Sequence, residues 1–266
     1  MEEGGFAAVA PARGCELSEE AMQRYARERL APILRDEREA FLFYRSFGEV
    51  RQVVQELYEE LCSGSFEPHW MELHFAAGEA LPAVEIRGQS VRAYLEGYVD
   101  RVDLWRDGER LYVRVVDYKT GKKNFDYAGI LHGLGLQMLL YLFALVRSGA
   151  RLTGARLLPA GVEYFPARVE PIRLDNRTDD ALLAEKREKN RTREGLVLKD
   201  GRVLQAMEHC EGIPRYLPYT VDREGNLKGD LADTAQLKLL ERHVFSTVAR
   251  LADRLYEGCT DRDPYF

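Results

Sequence analysis

The chain has 266 residues, 45% of them apolar, enough for the packed core of one large domain or two small ones. With 38 Lys and Arg against 44 Asp and Glu, its net charge of −6 excludes a protein that holds nucleic acid by general basicity, so phosphate binding must rest on local basic patches or a bound cation. No apolar run approaches the ~20 residues of a membrane span, and the N-terminus lacks the basic start and apolar stretch of a signal peptide; a soluble, cytoplasmic protein with no membrane partner is expected.

Residues 18–62 carry apolar positions at helical spacing, among them Met22, Tyr25, Leu30, Ile33 and Leu34, then Phe43, Phe47, Val50, Val53, Val54, Leu57, Tyr58 and Leu61. Two helices are predicted, the second closed at Ser63-Gly64. Short alternating runs at 70–75, 91–105 and 110–118 then read as strands, with Asp107-Gly108 as a tight turn between the last two. From Tyr127 to Arg147 the pattern is helical and apolar on several faces, which predicts a helix buried against the sheet. A further strand fits 161–172, where Pro166 points to an edge position or a bulge. The charge-dense stretch 175–202 reads as a solvated helix and loop, and a last helix runs from about Leu231 to Leu255. Cys15, Cys62, Cys210 and Cys259 are scattered with no C-x-x-C pair, as reduced thiols would be. There is no repeat, no low-complexity tract and no glycine-rich phosphate loop, since Gly121-Lys122 lacks the preceding glycine.

The chemistry concentrates in GYVDRVDLW and, after the turn, VVDYKTGKK. Side chains at i and i+2 of a strand share a face, so Asp117 and Lys119 point one way and Tyr118 the other. If the two strands pair, Asp100 comes near Asp117, and two close carboxylates repel unless a cation sits between them. A hard divalent ion such as Mg²⁺ takes oxygen ligands, here Asp100, Asp117 and the backbone carbonyl of Tyr118. Lys119 would then hold an attacking water and offset charge developing on a phosphate, so that phosphodiester hydrolysis follows. A plainer reading makes Asp100 and Asp103 strand-end ion-pair partners of Arg101 and Lys119. Lys122 and Lys123 are either phosphate contacts or solvated lysines. In the apolar run LGLQMLLYLFAL, Gln137 and Tyr141 share a helix face. Gln137 is either a satisfied structural amide or a group that faces the site with Tyr141.

The order G-Y-V-D-R-V-D, then V-V-D-Y-K-T-G, then Q-M-L-L-Y resembles the RecB family of the PD-(D/E)xK nucleases. More narrowly it is similar to the C-terminal nuclease domain of the AddB family, which are subunits of bacterial ATP-dependent helicase–nucleases. SGSFEPHWMELHF, REGLVLKDGRVLQAM and YEGCTDRDPYF extend the likeness over most of the chain. The resemblance implies a mixed α/β fold of the restriction-endonuclease-like kind, a mixed central sheet flanked by helices. By the same resemblance Asp100 and Asp117 bind Mg²⁺ or Mn²⁺, Lys119 is the catalytic lysine, Gln137 and Tyr141 form a Q-x-x-x-Y motif, and Glu72 is a weaker candidate for an acid near the site.

Two departures from the family pattern stand out. No G-x-x-x-H histidine is found on an early helix, and His69 and His74 lie in another context. The family's iron–sulfur cysteines are also unmatched, so the cluster is expected in a longer parent protein and not in these residues, which read as a fragment cut at both ends. The implied organisation is a helical segment at 1–65, a nuclease core at 66–175 and a helical extension at 176–266. The implied function is a Mg²⁺-dependent DNA exonuclease in double-strand break processing, acting on a single-stranded end beside an AddA-like partner subunit. The rival readings are a catalytically incomplete DNA-binding scaffold and a stand-alone nuclease of the CRISPR-adaptation type.

Overall fold

The computed structural model describes residues 10–30, 36–121, 123–167, 182 and 191–261. The chain opens with α1 (Pro11–Tyr25), whose proline sits in the first turn, where a missing N–H costs nothing. A π-helical turn at Ala26–Leu30 follows. Helix α2 (Glu37–Cys62) begins at Asp36, whose carboxylate accepts the backbone N–H groups of Arg38 and Glu39; Glu37 and Glu39 place further negative charge at the positive end of the helix.

The strands are β1 (Glu67–Phe75), β2 (Val84–Arg87), β3 (Arg92–Leu95), β4 (Gly97–Asp107), β5 (Arg110–Lys119), β6 (Leu157–Pro166), β7 (Glu194–Leu198), β8 (Tyr219–Val221), β9 (Leu227–Gly229) and β10 (Leu231–Ala232). A six-stranded sheet runs in the order β1-β4-β5-β6-β7-β10. Its β5–β6 and β7–β10 pairs are parallel and the others antiparallel, which makes it the mixed sheet that was expected. Between β5 and β6 the chain crosses through α3 (Tyr127–Leu131), α4 (Gln137–Ser148) and α5 (Ala150–Thr153). Helix α6 (Gly201–Met207) follows β7, and the long α7 (Thr234–Tyr256) starts from a capping box between Asp233 and Gln236. Among the described residues no helix is long and apolar enough to cross a membrane.

Several boundaries differ from the sequence reading. The run 91–105 is two strands, because the chain turns at Glu96 and β3 pairs with β2 in a separate hairpin. The helix expected over 127–147 is broken between α3 and α4 by Gly133 and Gly135, whose φ values of 88° and 64° suit glycine and interrupt helical geometry. Pro166 is the last residue of β6, an interior strand, so its missing N–H falls at the strand end. The charge-dense stretch holds buried β7 and the start of α6, not only solvated chain, while 168–181 and 183–190 lie outside the described residues. The sheet therefore takes strands from both sides of residue 175.

The two faces of the sheet are packed differently. Leu139, Leu142 and Leu145 of α4 are fully buried in one cluster with Val113, Val115, Leu157 and Val162, each such side chain contributing about 1.5–3 kcal/mol. The alternating residues Arg101, Asp103, Arg114 and Glu163 are also buried and form a network of charges. Arg114 Nη2 lies 2.7 Å from Asp103 and Nη1 3.1 Å from Glu163. Arg101 Nε lies 2.9 Å from Asp103, and Arg193 Nε donates to Glu60 at 2.8 Å. Asp103 is thus a buried mid-strand hub between two arginines, not the strand-end partner of a lysine.

Candidate active site

Strands β4 and β5 deliver the acidic residues. Their register runs from Asp107↔Arg110 to Arg101↔Val116 and places Asp100 at the end of the paired region, beside Asp117. One Asp100 oxygen accepts the backbone N–H of Tyr118 at 2.9 Å, which fastens the carboxylate to the peptide between Asp117 and Lys119. Lys119 Nζ lies 2.5 Å from Asp117 Oδ2 on the shared face of β5. The structure brings Asp100, Asp117, Lys119 and the Tyr118 backbone together, as the spacing implied.

Asp117 is buried, with only 4% of its surface exposed. Burial pushes its carboxyl above the ordinary range; the ammonium of Lys119 and the charge of Lys123 oppose that, and the negative Asp100 adds to it. Beside it in register on β6 stands Tyr164, whose phenol is pushed up to about 12 by burial and by the charge of Asp117. Tyr164 carries no motif of its own; only the parallel β5–β6 pairing, invisible in local sequence, places it against the acid. Lys123 is exposed, and Lys122 lies outside the described residues.

Gln137 opens α4 and donates from Nε2 to the Tyr141 hydroxyl at 2.8 Å. Tyr141 is buried and packs edge-on against Phe75, ring centres 5.4 Å apart. Its hydroxyl comes within 3.2 Å of where a β-carbon would stand on Gly97, so glycine there admits the phenol over the start of β4. Gln137 is exposed rather than buried, and among the described residues its hydrogen bond goes to Tyr141 and not to the acids.

Glu72 lies on β1 between the pairs Met71↔Arg101 and Leu73↔Val99, level with Asp100. It is exposed, and its φ of 50° puts it in the left-handed region. His69 stacks edge-on against Trp70, while His74 lies parallel to Tyr98 at 4.1 Å and pairs with Glu79 at 3.2 Å.

The donor set suits a hard divalent cation held by few protein ligands. Asp117 Oδ2 is buried and has an ion pair but no well-formed hydrogen bond, so it retains unshared acceptor capacity beside a second carboxylate. Among the described residues no group of three or more His, Cys, Asp or Glu gathers as metal ligands, so such an ion would keep several waters.

Residues 8–263 match the family described as the PD-(D/E)XK nuclease superfamily. Curated relatives are named as a subunit of an ATP-dependent helicase/deoxyribonuclease. That of Thermoanaerobacter sp. is 29% identical over 85% of this chain and 20% of its own length. That of Moorella thermoacetica is 30% identical over 89% of this chain and 21% of its length, and that of Acetivibrio thermocellus 31% over 81% and 19%. The chain spans about a fifth of the length of the curated relatives it matches.

Proposed function

The chain belongs to the PD-(D/E)XK nuclease superfamily, and on that footing we propose that it is a metal-dependent DNA exonuclease domain of a helicase–nuclease that processes double-strand breaks. The observation that carries this reading is the convergence of Asp100, Asp117 and Lys119 around the Tyr118 peptide. Asp100 and Asp117, with the Tyr118 carbonyl, would hold Mg²⁺ or Mn²⁺. When bound, such an ion supplies Lewis-acid polarisation of the scissile phosphate. The ammonium of Lys119 positions the attacking water and offsets negative charge as it grows on the phosphate oxygens. Gln137 and Tyr141 wall the approach from α4. The substrate is a single-stranded DNA end, and the names of the relatives support an AddA-like helicase–nuclease subunit as partner and a cytoplasmic setting.

The test is degradation of end-labelled single-stranded DNA with and without Mg²⁺. Asp117→Ala and Lys119→Ala are each expected to slow it by about 10²–10³-fold while the circular dichroism spectrum is kept. Unchanged rates in both variants would overturn the assignment.

A second reading, a DNA-binding scaffold that keeps the nuclease fold, is favoured by the two-carboxylate donor set among the described residues. DNA affinity without any Mn²⁺ binding at Asp100 and Asp117 would decide for it.

A further inference from the structure

We propose that Arg101 is a positioning residue for the metal site, acting through the phenol of Tyr118; the inference rests on the metal-binding reading above. Side chains alternate along β5, so the Tyr118 ring points away from Asp117 and Lys119 while its own peptide groups join them. Consecutive residues of β4 grip this one residue of β5. Asp100 takes its N–H at 2.9 Å, and Arg101 Nη1 donates to its hydroxyl at 3.0 Å. The guanidinium carbon also lies 5.6 Å from the centre of the Tyr118 ring, and Phe165 packs edge-on against that ring with centres 5.3 Å apart.

Arg101 is itself immobilised. It is wholly buried, its Nε lies 2.9 Å from Asp103 Oδ1, its Nη2 donates to Asp103 Oδ2 at 3.1 Å, and the same nitrogen lies 3.6 Å from Glu60 of α2. The planar fork of a guanidinium can meet a carboxylate and a phenol at once, as a lysine ammonium cannot with the same fixed geometry. A ring held this way resists rotation of its own backbone. Such rotation would swing the Asp117 side chain, the N–H that holds Asp100 and the carbonyl offered to the ion. The buried charges under the sheet therefore set the aim of the oxygen ligands above it.

The test is Mn²⁺ titration followed by electron paramagnetic resonance on the metal-free protein, comparing the unaltered chain with Tyr118→Phe, which keeps the ring and removes only the hydroxyl. Supporting interactions of this kind are worth about 10–100-fold in metal affinity, so Tyr118→Phe is expected to bind about 10-fold more weakly, and Arg101→Lys to move in the same direction. Independently of any metal, the residue 118 amide is expected to exchange its hydrogen about 10-fold faster in Tyr118→Phe, with the amides of Val113 and Val115 unchanged. Mn²⁺ binding by the unaltered chain with unaltered affinity and amide protection in Tyr118→Phe would overturn the inference alone. Failure of the unaltered chain to bind Mn²⁺ would overturn the metal-site reading and this inference with it.

Discussion

Asp117 and Lys119 form an ion pair, Oδ2 to Nζ at 2.5 Å, on a carboxylate that burial makes reluctant to ionise. A group whose folded pKa is raised stabilises the fold below its ordinary pKa, and that contribution is lost as pH rises through the raised value. Asp117→Asn is therefore expected to make the metal-free protein more stable at neutral pH by urea unfolding. Metal binding needs the ionised carboxylate and should weaken as pH falls through the raised pKa. Lys119→Ala removes the main opposing influence, so the pH midpoint of Mn²⁺ binding should move upward; a downward shift would contradict this account.

Glu163 titrates in an unusual place. Burial pushes its carboxyl up to about 7, against the pull of Arg114 and with the help of the negative Glu60. By the same sign rule its contribution to stability is present below the ordinary glutamate pKa and disappears as pH rises from there through about 7. Unfolding free energies measured in steps over that window should show a flatter pH slope for Glu163→Gln than for the unaltered chain. Identical slopes would remove Glu163 as their source.

Asp103 neutralises two buried arginines, Arg101 and Arg114. Removing one member of a buried ion network strands its partners, at a cost of about 3–5 kcal/mol. Asp103→Ala is expected to lose stability on that scale in chemical denaturation. A loss below about 1 kcal/mol, the range of a surface pair, would mean that water reaches the arginines.

Glu72 adopts a left-handed backbone that glycine takes without a steric penalty. Strain of this kind amounts to about 1–3 kcal/mol and tends to gather at functional sites. Glu72→Gly is expected to leave stability unchanged or raise it by about 1 kcal/mol, the relief of strain being offset by the freer unfolded chain. If nuclease activity also survives in Glu72→Gly, the carboxylate has no part in the site.

Strand β5 and its paired charges are legible because an apolar strand ending in D-x-K presents both groups on one face by local geometry alone. Asp107-Gly108 marks the hairpin for the same local reason. Tyr164 and Glu163 are different: their meaning depends on β6 lying parallel to β5, a contact made across a helical crossover. Arg101, Asp103 and Arg114 alternate with apolar residues and so read as the wet side of an amphipathic strand. They are dry because α2 and Arg193 cover them, and no local pattern reports that cover. The VRVV run was the available signal, since a lone arginine within an apolar strand needs a partner. Strand β7 was hidden by the charged residues on either side of its short apolar stretch.

The buried charges also shape how the chain reaches its final state. Glu60 comes from α2, Arg101 and Asp103 from β4, Arg114 from β5, Glu163 from β6 and Arg193 from just before β7, and each is costly to dehydrate before the others arrive. An intermediate with β4 and β5 paired but α2 and Arg193 still undocked can keep its arginines wet only by leaving that face of the sheet open. Closing the face and completing the network are then a single cooperative event, and the strand that carries Asp117 and Lys119 becomes rigid only when the first and last parts of the fold have met.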